Sequence, residues 1–321
     1  MAKFFITGGA GLIGSHIARE LLEGDHEIIV YDSFVNYKNP LETRYSKYLE
    51  KRFESIKDKV TLLRGDTRDK NHIRKTLFEH KPEIIIHLAA LPLADLSDEH
   101  TEEATSTIMQ ATINILESIR GADFVKRFVF ASSSMVYGDF EYVPADENHP
   151  KKPKDVYGGI KLAGEVITES FCRRFNIPYT IIRPSAVYGP TDVNERVSQI
   201  FVDNAMNGKE LVLHDGGSAK LDFTYVKDIA HGFILAALSK EAENEVFNIT
   251  AGQGRSLKEY VEILKEYFPD LKVVEKPQEG FKRPNRGTLA ISKAKEFLGY
   301  EPQYNLEKGI KEYVEFLRDL K

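Results

Sequence analysis

A single cysteine, Cys172, occurs in 321 residues, so no disulfide can close within the chain. Its setting, Glu169-Ser170-Phe171-Cys172-Arg173, reads as a helix interior. That predicts a core thiol rather than a nucleophile, and a reducing cytoplasm as the compartment. Long apolar runs are missing as well: none approaches the ~20 residues needed to span a bilayer. The first residues read as a strand followed by glycines, so no charged segment with an export helix is expected there. Excess positive charge is also lacking. The net charge of −5 offers no general attraction to nucleic acid or to anionic membranes. Lys151-Lys152-Pro153-Lys154 is balanced by acidic neighbours and reads as a solvated loop. There is no internal repeat, no low-complexity tract and no metal-ligand set. What is present is an ordinary 42% of hydrophobic residues, enough for a large core in one large or two closely joined domains.

Against that plain background, Thr7-Gly8-Gly9-Ala10-Gly11-Leu12-Ile13-Gly14 places four glycines in eight residues. Glycine inside a helix or strand costs roughly 0.5–1 kcal/mol relative to alanine, so the cluster needs a reason. Ala2-Lys3-Phe4-Phe5-Ile6 before it reads as a buried strand. Apolar spacing at Ile13, Ile17, Leu21 and Leu22 after it reads as a helix. Glycines at a strand-to-helix junction match the dinucleotide fingerprint, whose backbone N–H groups and helix N-terminus receive a pyrophosphate. A second strand, Glu27-Ile28-Ile29-Val30-Tyr31, ends at Asp32, eighteen residues beyond Gly14. A carboxylate there accepts both ribose hydroxyls and repels a 2′-phosphate, which predicts NAD rather than NADP.

The first half continues to alternate. A charged stretch from Leu41 to Lys57 precedes a strand at Val60–Leu63, and a helix near Asn71–His80 precedes the strand Ile84–Leu88. A helix around Thr105–Arg120 leads to Arg127–Ala131, and one near Lys161–Phe175 leads to Tyr179–Ile182. Continuous apolar strands separated by helices predict an α/β fold with a doubly wound parallel sheet. Ligands bind beyond the carboxyl ends of such strands. There lie Gly8-Gly9, Asp32, Asp66, Ala89-Ala90, Ser132-Ser133-Ser134 and Pro184. After Pro184 the alternation fades into short elements, a helix at Val226–Leu238 and a strand at Val246–Ile249 able to rejoin the sheet. The expected division is therefore residues 1–184, joined by about 222–251, and a smaller lobe of 185–221 and 252–321.

Tyr157 and Lys161 stand four residues apart at a helix start, on one face. An ammonium beside a phenol favours the phenolate, which predicts a lowered pKa and a general base near neutral pH. A serine of Ser132-Ser133-Ser134 can hydrogen-bond the same substrate oxygen.

At this point the chain resembles the extended short-chain dehydrogenase/reductases, the nucleotide-sugar epimerases and dehydratases, over nearly its whole length. The carriers are the glycine run, Asp32, Gly65-Asp66, His87-Leu88-Ala89-Ala90, the serines, Tyr157 with Lys161, Arg183-Pro184-Ser185-Ala186-Val187-Tyr188-Gly189-Pro190 and Phe297-Leu298-Gly299-Tyr300-Glu301-Pro302. The resemblance implies a Rossmann domain binding NAD and a C-terminal lobe binding a nucleoside diphosphate sugar. It implies Tyr157 as base, Ser133 and Lys161 beside it, and Lys161 on the nicotinamide ribose. Cofactor contacts would come from Gly8, Gly11, Leu12, Ile13, Asp32, Ser33, Asp66, Thr67, Leu88, Ala89, Ala90, Tyr157, Lys161 and Pro184. Asp66 and Thr67 would lie at the adenine. Substrate contacts would come from Ser133, Ser134 and Arg283. A homodimer or higher homo-oligomer is implied too, with neither nucleic acid nor membrane as partner.

Within the resemblance, Ser134 and Met135 occupy positions where sugar 4,6-dehydratases carry Asp-Glu. Eliminating water needs an acid and a base there, and methionine supplies no proton. Decarboxylation is disfavoured on the same residue. A 4-epimerase acting through a 4-keto sugar needs only Ser133, Tyr157, Lys161 and NAD. Net C4 oxidation or reduction uses the same groups and stays open, as does an inactive NAD-binding module. Ile108, Ala186 and Leu221 replace an Asn, an Asn and a phosphate-binding Arg of familiar UDP-hexose epimerases. The identity of the nucleotide, whether UDP, GDP, CDP or dTDP, therefore stays open.

Overall fold

A computed structural model describes residues 1–37, 43–280 and 283–320. Its centre is a seven-stranded parallel sheet. In chain order the strands are β1 (Lys3–Thr7), β2 (Glu27–Asp32), β3 (Thr61–Arg64), β4 (Ile84–His87), β5 (Arg127–Ala131) and β6 (Tyr179–Pro184), joined by Glu245–Ile249. Across the sheet they run Glu245–Ile249, β6, β5, β4, β1, β2, β3. The order reverses beside β1, which opens a crevice at the carboxyl ends of β1 and β4.

Alternation of side chains builds both faces. Phe4, Ile6, Ile28, Val30, Ile84 and Ile86 point to one side, against Leu12, Ile17 and Leu21 of helix α1 (Leu12–Glu23) and Phe233 of the helix Val226–Leu238. Phe5, Ile29, Ile85, Phe128 and Phe130 point to the other. They meet helices α3 (Lys70–His80) and α6 (Ala111–Ile119) and Cys172 of α7 (Val156–Phe175). Cys172 is thus the core thiol its neighbours predict, with burial raising its pKa to about 12. Helix α2 (Thr43–Phe53) falls within the charged Leu41–Lys57 stretch, whose first two residues lie outside the described part.

A second apolar core contains Phe201, Val202, Leu211, Phe223, Tyr260, Leu264, Ile310 and Tyr313. It is built from the helices Val197–Met206, Leu257–Tyr267 and Leu306–Asp319 with short paired strands between them. The cleft lies between this core and the sheet.

Two local features bear on the site. The helix expected over Thr105–Arg120 is instead α5 (Thr101–Thr105), a π turn over Ser106–Gln110, and α6. Thr107 Oγ1 donates back to the Glu103 carbonyl at 2.8 Å and Ser106 Oγ to the same carbonyl at 2.9 Å, a competition that loosens a helical ladder. Helix α7 begins at Val156, which agrees with the helix start expected at Tyr157 and extends beyond the Lys161–Phe175 stretch, because the Asp155 side chain accepts the Gly158 N–H at 2.7 Å and caps it. Among the described residues no helix is long and apolar enough to cross a membrane.

Candidate active site

The glycine turn closes tightly. Gly8 has φ +67°, and a Cβ on it would stand 2.7 Å from the Ala89 nitrogen. A side chain is therefore excluded by conformation and by contact. Helix α1 begins at the N-cap Gly11 without a side-chain cap, so its first N–H groups face the crevice. Asp32, at the end of β2, accepts the Ala10 N–H at 2.9 Å and the Phe34 N–H at 2.7 Å. Burial raises its pKa, while these backbone donors and Arg52 pull it down. Arg52 comes from α2, outside the Asp32–Asn36 segment. It spends its guanidinium on the Ala10 carbonyl (2.8 Å) and on Thr191 (carbonyl 2.5 Å, hydroxyl 3.2 Å). It thereby ties the glycine turn to the loop at Thr191. Asp66 is held by Arg68 Nη2 at 2.6 Å.

The catalytic candidates sit at the ends of β4 and β5. His87 closes a chain in which Thr112 Oγ1 donates to the Ile108 carbonyl (2.6 Å) and so accepts from His87 Nε2 (3.2 Å). His87 Nδ1 is then left to accept from Thr7 Oγ1 at 2.6 Å. Burial, with Lys161 nearby, lowers the His87 pKa to about 3, so this histidine is a neutral support and not a proton carrier near pH 7. Ser133 caps a short turn by accepting the Met135 N–H at 3.2 Å.

Helix α7 lies close enough on the sheet that a Cβ at Gly164 would stand 2.6 Å from the Phe130 ring. This depth carries Lys161 into the interior, 3% exposed, where its Nζ donates to the Ala131 carbonyl at 2.6 Å. Here the expectation from spacing is corrected. Lys161 Nζ is 5.7 Å from the Tyr157 ring centre, on the same helix face. Yet burial pushes Tyr157 up to about 12, with Arg196 and the Ser133 hydroxyl pulling the other way. Burial equally drives Lys161 down to about 7, with Glu165 opposing. Burial is the largest cause on each of the two groups. Tyr157 is half-buried by surface area and lines the cleft.

Behind them stands a buried ion pair. Arg183 grips Glu165 through Nε (2.8 Å) and Nη2 (2.7 Å), and both side chains are 3% exposed. Ser132 Oγ donates to the same carboxylate, and Arg183 Nη1 reaches the Tyr137 hydroxyl at 2.9 Å. Ser132 therefore serves the scaffold, as a strand-end residue.

All sequence-predicted site residues line one cavity of about 760 Å³. Gly8 through Ala90 occupy one end, and Ser133, Ser134, Met135, Tyr157 and Lys161 the middle. Leu221 and Arg283 line the same cavity. Arg283 is exposed and paired with Asp95 of helix α4 (Ala94–Glu99) at 2.6 Å. Ser134 Oγ is buried without a hydrogen-bond partner. Sequence reasoning passed over four described cations of this cavity: Arg52, Arg196, Arg286 and the exposed Lys220. Arg52 is committed to backbone, and Arg196 is paired with the buried Asp192 at 3.1 Å. Arg286 has a buried Nε without a partner. Its only signal in the sequence is its place three residues after Arg283.

A doubly wound sheet with a glycine turn, an acidic strand end and a serine–tyrosine–lysine group defines a dinucleotide-dependent enzyme of the Rossmann class. The model of the NAD dependent epimerase/dehydratase family matches residues 4–250, and the chain belongs to that family. Its cofactor is accordingly NAD, and the turn, the Asp32 carboxylate and the open helix end fit that group. A Methanocaldococcus jannaschii protein provisionally named a UDP-glucose 4-epimerase is 34% identical over 320 residues, 98% of each chain. The dTDP-D-glucose 4,6-dehydratase of Mus musculus is 30% identical, across 98% of this chain and 88% of that one. The crystal structure of Thermotoga maritima UDP-glucose 4-epimerase with UDP-glucose superposes with a TM-score of 0.88 at 29% identity, covering 99% of both chains.

Proposed function

We propose that this enzyme interconverts a nucleotide sugar at C4, as a 4-epimerase working through a 4-keto sugar. The observation that carries the reading is the middle of the cavity. Ser133, Tyr157 and Lys161 meet there, and the neighbouring wall is Ser134-Met135, without a carboxylate. The likeness to UDP-glucose 4-epimerases supports UDP as the first nucleotide to try.

In this reading bound NAD supplies a hydride acceptor and later a hydride donor. Tyr157 takes the proton of the C4 hydroxyl and returns it to the reformed alcohol. Ser133 hydrogen-bonds the same oxygen and keeps it in line with the phenol. Arg196 brings positive charge to the phenol and the Ser133 hydroxyl bonds it, opposing the burial that raises its pKa. The cavity leaves room for a ketosugar to present its other face, while the lobe of 185–221 and 252–321 keeps hold of the nucleotide. Substrate, product and cofactor balance: one hydride and one proton leave the sugar and both return. Asp32 favours NAD over NADP by repelling a 2′-phosphate, and Arg52 beside it is committed to Ala10 and Thr191. A homodimer or higher homo-oligomer in a reducing cytoplasm belongs to the same proposal.

The likeness to a 4,6-dehydratase is the specific ground for a second reading. Incubation with UDP-, GDP-, CDP- and dTDP-linked hexoses, followed by chromatography and mass spectrometry, separates the two. Epimerisation gives a new peak of unchanged mass. A 4-keto product is lighter by two hydrogens, and efficient loss of water from any substrate would overturn the epimerase reading.

A further inference from the structure

Six cationic side chains line the cavity among the described residues: Arg52, Lys161, Arg196, Lys220, Arg283 and Arg286. Their commitments differ. Arg52 and Lys161 donate to backbone carbonyls, Arg196 pairs with Asp192, and Arg283 pairs with Asp95. Lys220 is exposed to solvent. Arg286 is neither exposed nor paired: its Nε is buried without a hydrogen-bond partner. Burial and the charge of Arg283 lower its pKa to about 10, and Asp155 opposes them only partly. The group is still a cation at neutral pH.

A guanidinium whose Nε is buried without an acceptor is unfavourable unless a ligand completes it. Two observations say which. Arg283 and Arg286 are three residues apart on one segment and act on each other as like charges, so the pair calls for a doubly charged group. Leu221, where familiar UDP-hexose epimerases place a phosphate-binding arginine, lines the same cavity and brings no charge. Asp155, which Arg286 faces, caps the helix that carries Tyr157 and so stands on the sugar side of the cleft, away from the glycine turn.

We infer that Arg286 is the principal anion anchor of the substrate site, gripping the diphosphate of the nucleotide sugar in place of the cation absent at Leu221. Arg283 is the second member and exchanges Asp95 for the diphosphate when substrate enters. Both cations then come from the single segment 283–286. This rests on the nucleotide-sugar reading but not on the reaction being epimerisation.

Calorimetry on the NAD-loaded protein tests it, with UDP, GDP and inorganic pyrophosphate as probes. Arg286→Gln should weaken UDP and pyrophosphate by about ten- to a hundredfold, as expected for a charge-assisted contact. Arg286→Lys, which keeps the charge and loses the fork, should fall between. NAD affinity should not change, and the melting temperature of Arg286→Gln should be equal to or above that of the wild type. Unchanged UDP binding in Arg286→Gln overturns the inference, as does an equal loss of NAD binding. The two readings fail separately. A protein that binds UDP through Arg286 yet converts no sugar keeps the anchor and loses the epimerase. One that epimerises UDP-sugars with an unchanged KM in Arg286→Gln does the reverse.

Discussion

The two halves of the cleft treat their polar groups differently. On the side of the glycine turn, what can be satisfied is satisfied by the protein. Asp32 accepts backbone N–H groups, Arg52 spends its donors on Ala10 and Thr191, and His87 is held between two threonines. On the sugar side, Ser134 Oγ and Arg286 Nε are buried without partners, and Arg283 is held only by an exposed carboxylate. Unmet hydrogen bonds in a buried wall cost stability, roughly 1–3 kcal/mol each, and persist where a ligand supplies what is missing. The cofactor half is thus a finished surface, and the substrate half is finished by its substrate.

The comparison can be broken by substitution, and the largest effect is expected in the finished scaffold. Glu165→Gln keeps the shape but leaves Arg183 buried with its charge uncompensated. Breaking such a pair typically costs about 3–5 kcal/mol. Urea denaturation should show the midpoint falling accordingly; a midpoint equal to wild type would mean that Tyr137 and the Glu147 carbonyl suffice for Arg183. A smaller free-energy change, confined to turnover, is expected from Tyr157→Phe. Losing the proton acceptor should cut kcat at least ~10²-fold, the range for a general acid–base group, with NAD affinity retained. Near-normal turnover would assign the proton to another group.

A further effect, read as a pH dependence, belongs to Lys161, which stands between the halves. Its folded-state pKa of about 7 lies below the ordinary 10.5. Between those values the unfolded chain binds the extra proton, so stability of the ligand-free protein rises as pH climbs from about 7 towards 10.5. Below about 7 the burial cost is present in full. Lys161→Met abolishes that slope: its stability relative to wild type should be greatest in the acidic range and shrink above neutrality. Parallel stability curves for the two proteins would show that Lys161 keeps its ordinary pKa in the fold.

Much of the frame was legible from patterning. Continuous apolar runs at Phe4–Ile6, Ile84–Ile86 and Phe128–Phe130 can satisfy their burial only in a sheet covered on both faces. The helix Val226–Leu238 has the expected bounds, and Glu245–Ile249 joins the sheet edge as anticipated. The π turn in Ser106–Gln110 was not legible, because apolar periodicity does not register a serine and a threonine bonding back to one carbonyl. The start of α7 was legible to within one residue from Tyr157 and Lys161 sharing a helix face; the Asp155 cap that offsets the poor helix propensity of Gly158-Gly159 was not.

The sequence by itself determined the order of elements, the glycine turn with its acidic partner, and the alignment of Tyr157 with Lys161 on one helical face. These depend on local spacing, which the chain carries wherever it folds. Only the tertiary structure decided the electrostatics. How deep Lys161 lies is set by the close approach of Gly164 to Phe130, and it is the burial of Tyr157 itself that reverses the simple expectation for the phenol. Whether Arg283 or Arg286 has a partner depends on Asp95, far away in sequence, reaching one and not the other. Charges interact through space and through the solvent that burial removes, so residue spacing carries neither quantity.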